Sequence, residues 1–363
     1  MWPDRRILDL LHIDVPILLA PMAGPGLAEL AIGVAEAGGL GALPTALLGA
    51  DQVRSEVAAF RSRTRAGRPI NLNFFCHAPP APDPSRDAAW RDRLAPYYRE
   101  LGLDPSAPIK PGARAPFDDA LCRLVEELRP EIVSFHFGLP EPALLDRVRA
   151  AGAVILCSAT TVAEARWLEA HGCDAIIAQG AEAGGHRGVF LGGDPIAACA
   201  SQPGTMALVP QVVDAVSRPV IAAGGIADGR GIVAALALGA AAVQIGTAYL
   251  FCPEAKVSAL HRAALRGATD DGTAMTNVFT GRPARGLVNR VIRELGPLTA
   301  DAPAFPLAGG ALAPLKAQAE AKGSGDFSPL WAGQAAALGR ELPAAELTRA
   351  LAEDALARLA RLG

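Results

Sequence analysis

Residues 132–180 read IVSFHFGLPEPALLDRVRAAGAVILCSATTVAEARWLEAHGCDAIIAQG. Three apolar runs in this stretch, Ile132–Gly138, Ala153–Thr160 and Asp174–Gly180, start at 132, 153 and 174, 21 residues apart each time. They are continuous rather than alternating, the pattern of parallel strands buried on both faces. Glu141–Ala151 and Val162–His171 lie between them with helical spacing. The rhythm continues in both directions. Upstream come Pro16–Met22, Leu40–Ala46 and Pro69–Phe75; downstream come Pro219–Gly225 and Ala241–Leu250. Helical patterns at Leu27–Ala37, Asp51–Arg65, Phe117–Arg129, Thr205–Ser217 and Gly229–Leu238 separate the strands, and several end in glycine. Eight strand–helix units with no hairpin signal predict an α/β protein, a closed TIM (β/α)8 barrel rather than an open sheet.

Two insertions break the period. His77–Pro116 is rich in Pro and Arg, and Ala181–Pro203 is rich in Gly. After about residue 262 the strand–helix alternation stops. The expected organisation is a barrel over 1–262 with an insertion at about 77–116, and a smaller, mainly helical lid or substrate domain over 263–343. A C-terminal helix over 344–363 would pack back on the barrel.

The 363 residues carry a formal net charge of −3, with 51% hydrophobic, 20% charged and only 5% aromatic residues. A large core is therefore available, while a basic surface or a base-stacking platform for nucleic acid is not. The apolar run near the N-terminus is interrupted by Asp9, His12 and Asp14, and no apolar stretch reaches the roughly 20 residues of a membrane span. Six cysteines, none in a C-x-x-C pair, read as reduced thiols of a cytoplasmic protein, with no metal site.

In a barrel of this kind the active site lies at the C-terminal ends of the strands. Polar residues otherwise scarce in these strands gather there: Asn73, His136, Ser158, Gln179 and Gln244. The densest signal is Gln179-Gly180-Ala181-Glu182-Ala183-Gly184-Gly185-His186-Arg187-Gly188. Its glycines allow close backbone approach to a ligand, and His186 suits proton transfer near neutral pH; a surface loop with an incidental histidine is the other reading. Gly224-Gly225 and Gly246-Thr247 end the last two strands, where this fold usually cradles a phosphate beside a helix N-terminus, although ordinary tight turns would look the same. Met22, with Ala23, could lie against a flat ring or simply fill the core. Asn73 could meet a heterocycle edge or only the backbone. His77 and His136 could face the pocket, whereas His12, His171 and His261 read as surface or satisfied core residues. No Walker A loop, H-E-x-x-H or G-x-S-x-G is present.

These residues resemble the nitronate monooxygenase family, also called 2-nitropropane dioxygenases, in its class I-like form. The likeness runs in order through Pro16-Ile17, Ala20-Pro21-Met22-Ala23-Gly24, Asn73-Phe74-Phe75 and Phe135-His136-Phe137-Gly138-Leu139-Pro140. It continues through the E-A-G-G-H-R-G block at 182–188, Gly224-Gly225-Ile226, Gly281-Arg282-x-Ala284-Arg285-Gly286 and Trp331-Ala332-Gly333-Gln334. The resemblance implies FMN as cofactor and no metal. It also implies a small-molecule substrate with O2, oxidation of alkyl nitronates to carbonyl compounds and nitrite, and His186 as catalytic base. Met22, Asn73 and Gln179 would meet the isoalloxazine. Gly184, Gly185, Gly224, Gly225, Gly246 and Thr247 would hold the phosphate, with Ala23 and Gln244 beside them and His136 and Ser158 toward substrate. The family's second-domain pocket often includes Tyr and Lys; here 263–345 holds no Tyr, and Lys316 and Lys322 are its only lysines. A monomer or homodimer is expected. An FMN- and NAD(P)H-dependent enoyl reductase, or a non-catalytic flavin-binding protein, would share many of these features.

Overall fold

The computed structural model describes residues 2–109 and 114–362; Met1, Gly363 and the part of the insertion at 110–113 lie outside them. Eleven strands follow one another along the described chain: β1 (Ile17–Leu19), β2 (Gly41–Pro44), β3 (Ile70–Phe75), β4 (Ile132–His136), β5 (Val154–Ala159), β6 (Ala175–Gln179), β7 (Gly185–His186), β8 (Val220–Ala223), β9 (Ala242–Ile245), β10 (Thr273–Thr276) and β11 (Ala284–Leu287). Eight of them form one parallel sheet in the order β1-β9-β8-β6-β5-β4-β3-β2. A parallel bridge between Leu18 and Leu40 joins its two ends. There Leu19 N–H donates to the Leu40 carbonyl at 2.9 Å and Leu40 N–H to that of Ile17 at 3.0 Å. The sheet is thus a closed barrel, and each of the eight apolar runs supplies one strand.

The strands are shorter than the runs that announced them because each run continues into the turn at its C-terminal end. Ala241–Leu250 shows this: β9 stops at Ile245, and Thr247–Phe251 coils into a 3-10 turn. β1, β2, β6 and β8 are buried along their whole length, between barrel interior and surrounding helices. The C-terminal helix Ala344–Leu362 lies against the helices Ala28–Glu36 and Gly229–Ala237. Its approach is close enough that a Cβ on Gly33 would sit 2.7 Å from that of Ala344. The Tyr249 hydroxyl, 2.8 Å from that of Thr348, ties it to the end of the barrel.

Two features were not expected. The Pro- and Arg-rich insertion contains a long helix, Pro84–Glu100, started by Asp83 accepting from Arg86 N–H at 3.0 Å. Its apolar face, with Trp90, Leu94 and Tyr98, shares a core with Val278, Phe279 and Leu312 from beyond residue 262. Trp90 Nε1 donates to the Ala308 carbonyl at 3.2 Å and the Tyr98 hydroxyl to that of Ala311 at 2.6 Å. Insertion and lid are therefore packed as one cap. The second feature is a small antiparallel sheet, β10-β11-β7, in which the cap pairs with the loop after β6. Strands of two and four residues, joined by no Asn-Gly or Asp-Gly turn, leave no hairpin signature in the sequence.

Candidate active site

A cavity of about 550 Å³ opens at the C-terminal ends of the barrel strands, roofed by the cap. That volume lies within the range of small-molecule and cofactor sites. Its lining contains Met22, Ala23, Asn73, His136, Ser158, Gln179, Gly184, Gly185, His186, Gly224, Gly225, Gln244, Gly246 and Thr247, whereas His77 is buried against Phe305 outside the lining. It also contains residues that the sequence did not single out, among them Arg114, Lys256 and Leu330.

His186 sits in β7, held from two sides. Across the sheet it is paired with Ala284 of β11, and Arg187 N–H donates to the Pro283 carbonyl at 2.9 Å. From the barrel, Gln179 Nε2 donates to the His186 carbonyl at 3.0 Å, while Gly188 N–H donates to Gln179 Oε1 at 2.8 Å. His136 Nε2 lies 3.1 Å from the same His186 carbonyl and its Nδ1 2.6 Å from the Ser158 hydroxyl. With Nε2–H donating to the carbonyl, His136 Nδ1 accepts from Ser158. The polar atoms of Gln179, His136 and Ser158 are thus spent mainly on fixing the histidine segment. The buried Arg187 completes the anchor through the Gly180 carbonyl and Gln202.

The His186 imidazole stands among aromatic rings, with centroids 6.1 Å from Phe75, 6.0 Å from Phe137, 5.3 Å from Phe305 and 5.6 Å from Trp331. This box removes water, and the charged groups acting on the ring are Arg114, His136, Arg282 and His77, all cationic or able to become so. Burial first, and those neighbours second, hold His186 well below the ordinary histidine range, so it is neutral at physiological pH. Its Nε2 lies 3.0 Å from the Thr280 hydroxyl, which itself reaches the Arg282 carbonyl at 3.3 Å. Donation by Thr280 to that carbonyl leaves its oxygen to accept from Nε2–H, the tautomer that puts the lone pair on Nδ1. Nδ1 has no protein partner among the described residues. Thr280 stands immediately before the Gly281-Arg282 motif, a position at which only this hydrogen bond reveals a role.

The opposite wall is glycine-rich. Gly225 has φ +70° and Gly185 φ +72°, conformations costly for other residues, and around Gly185 a side chain would meet only open space. The backbone N–H groups of Gly184, Gly225 and Thr247 donate to nothing among the described residues. Among the described residues Gln244 Oε1 is buried without a partner, and Asn73, whose Nδ2 donates to Ser134, has an uncommitted carbonyl oxygen. A buried acceptor without a donor is uncommon. Together with the unpaired N–H groups, it matches a ligand carrying both a polar heterocycle and an anionic group. The nearby helix N-termini, expected to help, are already filled. Glu182 accepts from Thr205 N–H at 2.8 Å and its hydroxyl at 2.9 Å, and Asp228 caps Gly229–Ala237. A phosphate here would rest on the backbone N–H groups of Gly184, Gly225 and Thr247 rather than on a helix N-terminus.

A family model described as nitronate monooxygenase matches residues 4–354. The chain belongs to the nitronate monooxygenase family. A nitronate monooxygenase of Pseudomonas aeruginosa is 45% identical over 96% of this chain and 98% of its own. One from Paraburkholderia phytofirmans is 43% identical over 96% and 94%. Among solved structures, nitroalkane oxidase from Streptomyces ansochromogenes superposes with a TM-score of 0.88 at 38% identity, covering 99% of this chain and 100% of that one. FabK from Thermotoga maritima gives 0.72 at 27% identity, over 100% and 99%. Like these relatives the chain is an oxidoreductase with a TIM barrel. Among the described residues no helix is long and apolar enough to cross a membrane. Residues of the motifs that carry the resemblance meet here: Phe137 and Arg282 stand beside His186, and Trp331 and Gly333 close the cavity from the cap.

Proposed function

We propose that this protein is an FMN-dependent nitronate monooxygenase that oxidises alkyl nitronates with O2 to carbonyl compounds and nitrite. The observation that carries the proposal is a neutral His186, boxed by aromatic rings, in the same cavity as a glycine wall and the unpartnered Gln244 Oε1. The glycine wall suits the ribityl phosphate. Met22, Asn73 and Gln244 suit the isoalloxazine, and Gln179 acts chiefly by holding the His186 strand. Bound there, the flavin would serve as electron acceptor and return the electrons to oxygen, chemistry that no side chain supplies.

The residues of the chain do the rest. His186 Nδ1, with its lone pair directed by the Nε2–Thr280 bond, can take the α-proton of a neutral nitroalkane or hydrogen-bond an ionised nitronate once protonated. Its depressed basicity makes it a weaker base than an ordinary histidine, so the site suits a substrate that arrives as the anion. Phe75, Phe137, Phe305 and Trp331 exclude water from the reacting carbon.

The test is the visible spectrum of the purified protein, followed by anaerobic mixing with propionate 3-nitronate and, separately, with NADH. A flavin spectrum that bleaches with nitronate and not with NADH supports the proposal. Rapid bleaching by NADH alone would favour an enoyl-reductase type of reaction. Absence of flavin absorbance after addition of FMN would refute the cofactor.

A further inference from the structure

Arg114 is a cavity-lining residue that the sequence did not announce. It emerges from the end of the Pro- and Arg-rich insertion, and its guanidinium carbon lies 5.8 Å from the centroid of Phe305, one of the rings around His186. Burial disfavours its charged form, yet among the described residues its side chain has neither an ion pair nor a hydrogen-bond partner. Two other cations near the cavity are engaged. Arg282 donates to the Val189 carbonyl and lies 4.0 Å from the Phe137 centroid. Lys316 is 3.9 Å from Glu320; Lys256 lies in the lining as well, but as a flexible ammonium without the planar fork of a guanidinium. The carboxylates of the lining, Glu182 and Glu320, are bound to Thr205 and Ser328.

Arg114 is half-buried at the cavity wall, and a guanidinium with no counter-charge among the described residues has its donors free for an anion that enters there. His186 is neutral and cannot supply positive charge. A nitronate carries its charge on two oxygens of a planar group, the geometry a guanidinium fork meets with two parallel hydrogen bonds.

We propose that Arg114 is the anion-binding residue of this site and selects the nitronate over its own neutral nitroalkane. The proposal rests on the nitronate reading given above and adds the residue that discriminates charge. Ethylnitronate and nitroethane differ by one proton and therefore isolate that charge. In the flavin-loaded enzyme, Arg114→Gln is expected to raise KM for ethylnitronate by about tenfold or more, the scale of a lost charge-assisted hydrogen bond. The kcat for ethylnitronate and the KM for nitroethane should hold, and Arg114→Lys should recover part of the loss. An unchanged ratio of the two KM values in a variant with wild-type flavin content and melting temperature overturns the assignment.

Nitrate, a planar and unreactive oxyanion, gives the second measurement. Calorimetric binding of nitrate by the wild type, lost in Arg114→Gln and kept in Arg114→Lys, supports Arg114 even if neither nitroethane nor its anion is oxidised. That result would separate failure of the activity from failure of the anion site. Nitrate binding that is absent, or equal in wild type and Arg114→Gln, refutes it.

Discussion

His186 shows how one residue acquires a function from its surroundings. Its type and glycine context mark it in the sequence, but its protonation state comes from Phe75, Phe137, Phe305 and Trp331, which are distant in the chain, and from Arg114 and Arg282. Because the ring is held well below its ordinary value, kcat/KM for nitroethane should show no inflection near pH 6.5. An inflection there that disappears in His186→Asn would contradict the neutral-histidine assignment. The same variant should keep its flavin but lose about 10²-fold or more in turnover of neutral nitroalkane, the usual contribution of a general base. Turnover of preformed nitronate should fall less, since no proton need be removed. Equal losses with both substrates would assign His186 to binding rather than proton transfer. Arg114 shows the opposite case. It is one of many arginines in a Pro-rich segment, and only its place beside His186 distinguishes it.

At the scale of elements, strand ends and their turns build the cavity. The turn after β8 places Gly225 at φ +70°, where an added Cβ would lie 3.4 Å from that of Glu182. Gly225→Asp therefore strains the turn and sets a carboxylate against the expected phosphate. The purified variant should lack flavin absorbance; a fully loaded Gly225→Asp protein would move the phosphate elsewhere. The strands were legible because eight buried parallel strands write continuous apolar runs of regular spacing. β7, β10 and β11 were not, because two- and four-residue pairings carry too little pattern to be seen locally. The helix Pro84–Glu100 was hidden for another reason. Its polar composition reads as loop, and its buried face is matched only by cap residues some 200 positions later, as in the Trp90–Ala308 hydrogen bond with |i−j| = 218.

Over the whole molecule, the cap withdraws three histidines from water, and this couples the site to stability. His77 is pushed down to about 4 and His136 to about 3, burial being the first cause in each, and His186 also lies well below its ordinary value. In the unfolded chain each would titrate near 6.5. Their contribution is complete above that pH and declines as pH falls toward the folded values, because the unfolded state then binds the extra protons. The slope is about 1.4 kcal/mol per pH unit for each such histidine. Urea midpoints should therefore drop between pH 7 and 5.5, and His77→Phe, which fills the space among Phe75, Phe137 and Phe305, should reduce the drop. A midpoint that does not change across that range would show that these histidines are not buried neutral. The barrel, its eight strands and the gathering of Met22, Gln179, His186 and the glycine pairs at strand ends followed from the sequence, since burial on two faces imposes a periodicity that survives in one dimension. The joining of insertion and cap, the aromatic box that neutralises His186, the filling of helix N-termini by Glu182 and Asp228, and the unpaired Arg114 followed only from tertiary contact. Each depends on which side chains far apart in the chain exclude water together, and no local pattern encodes that.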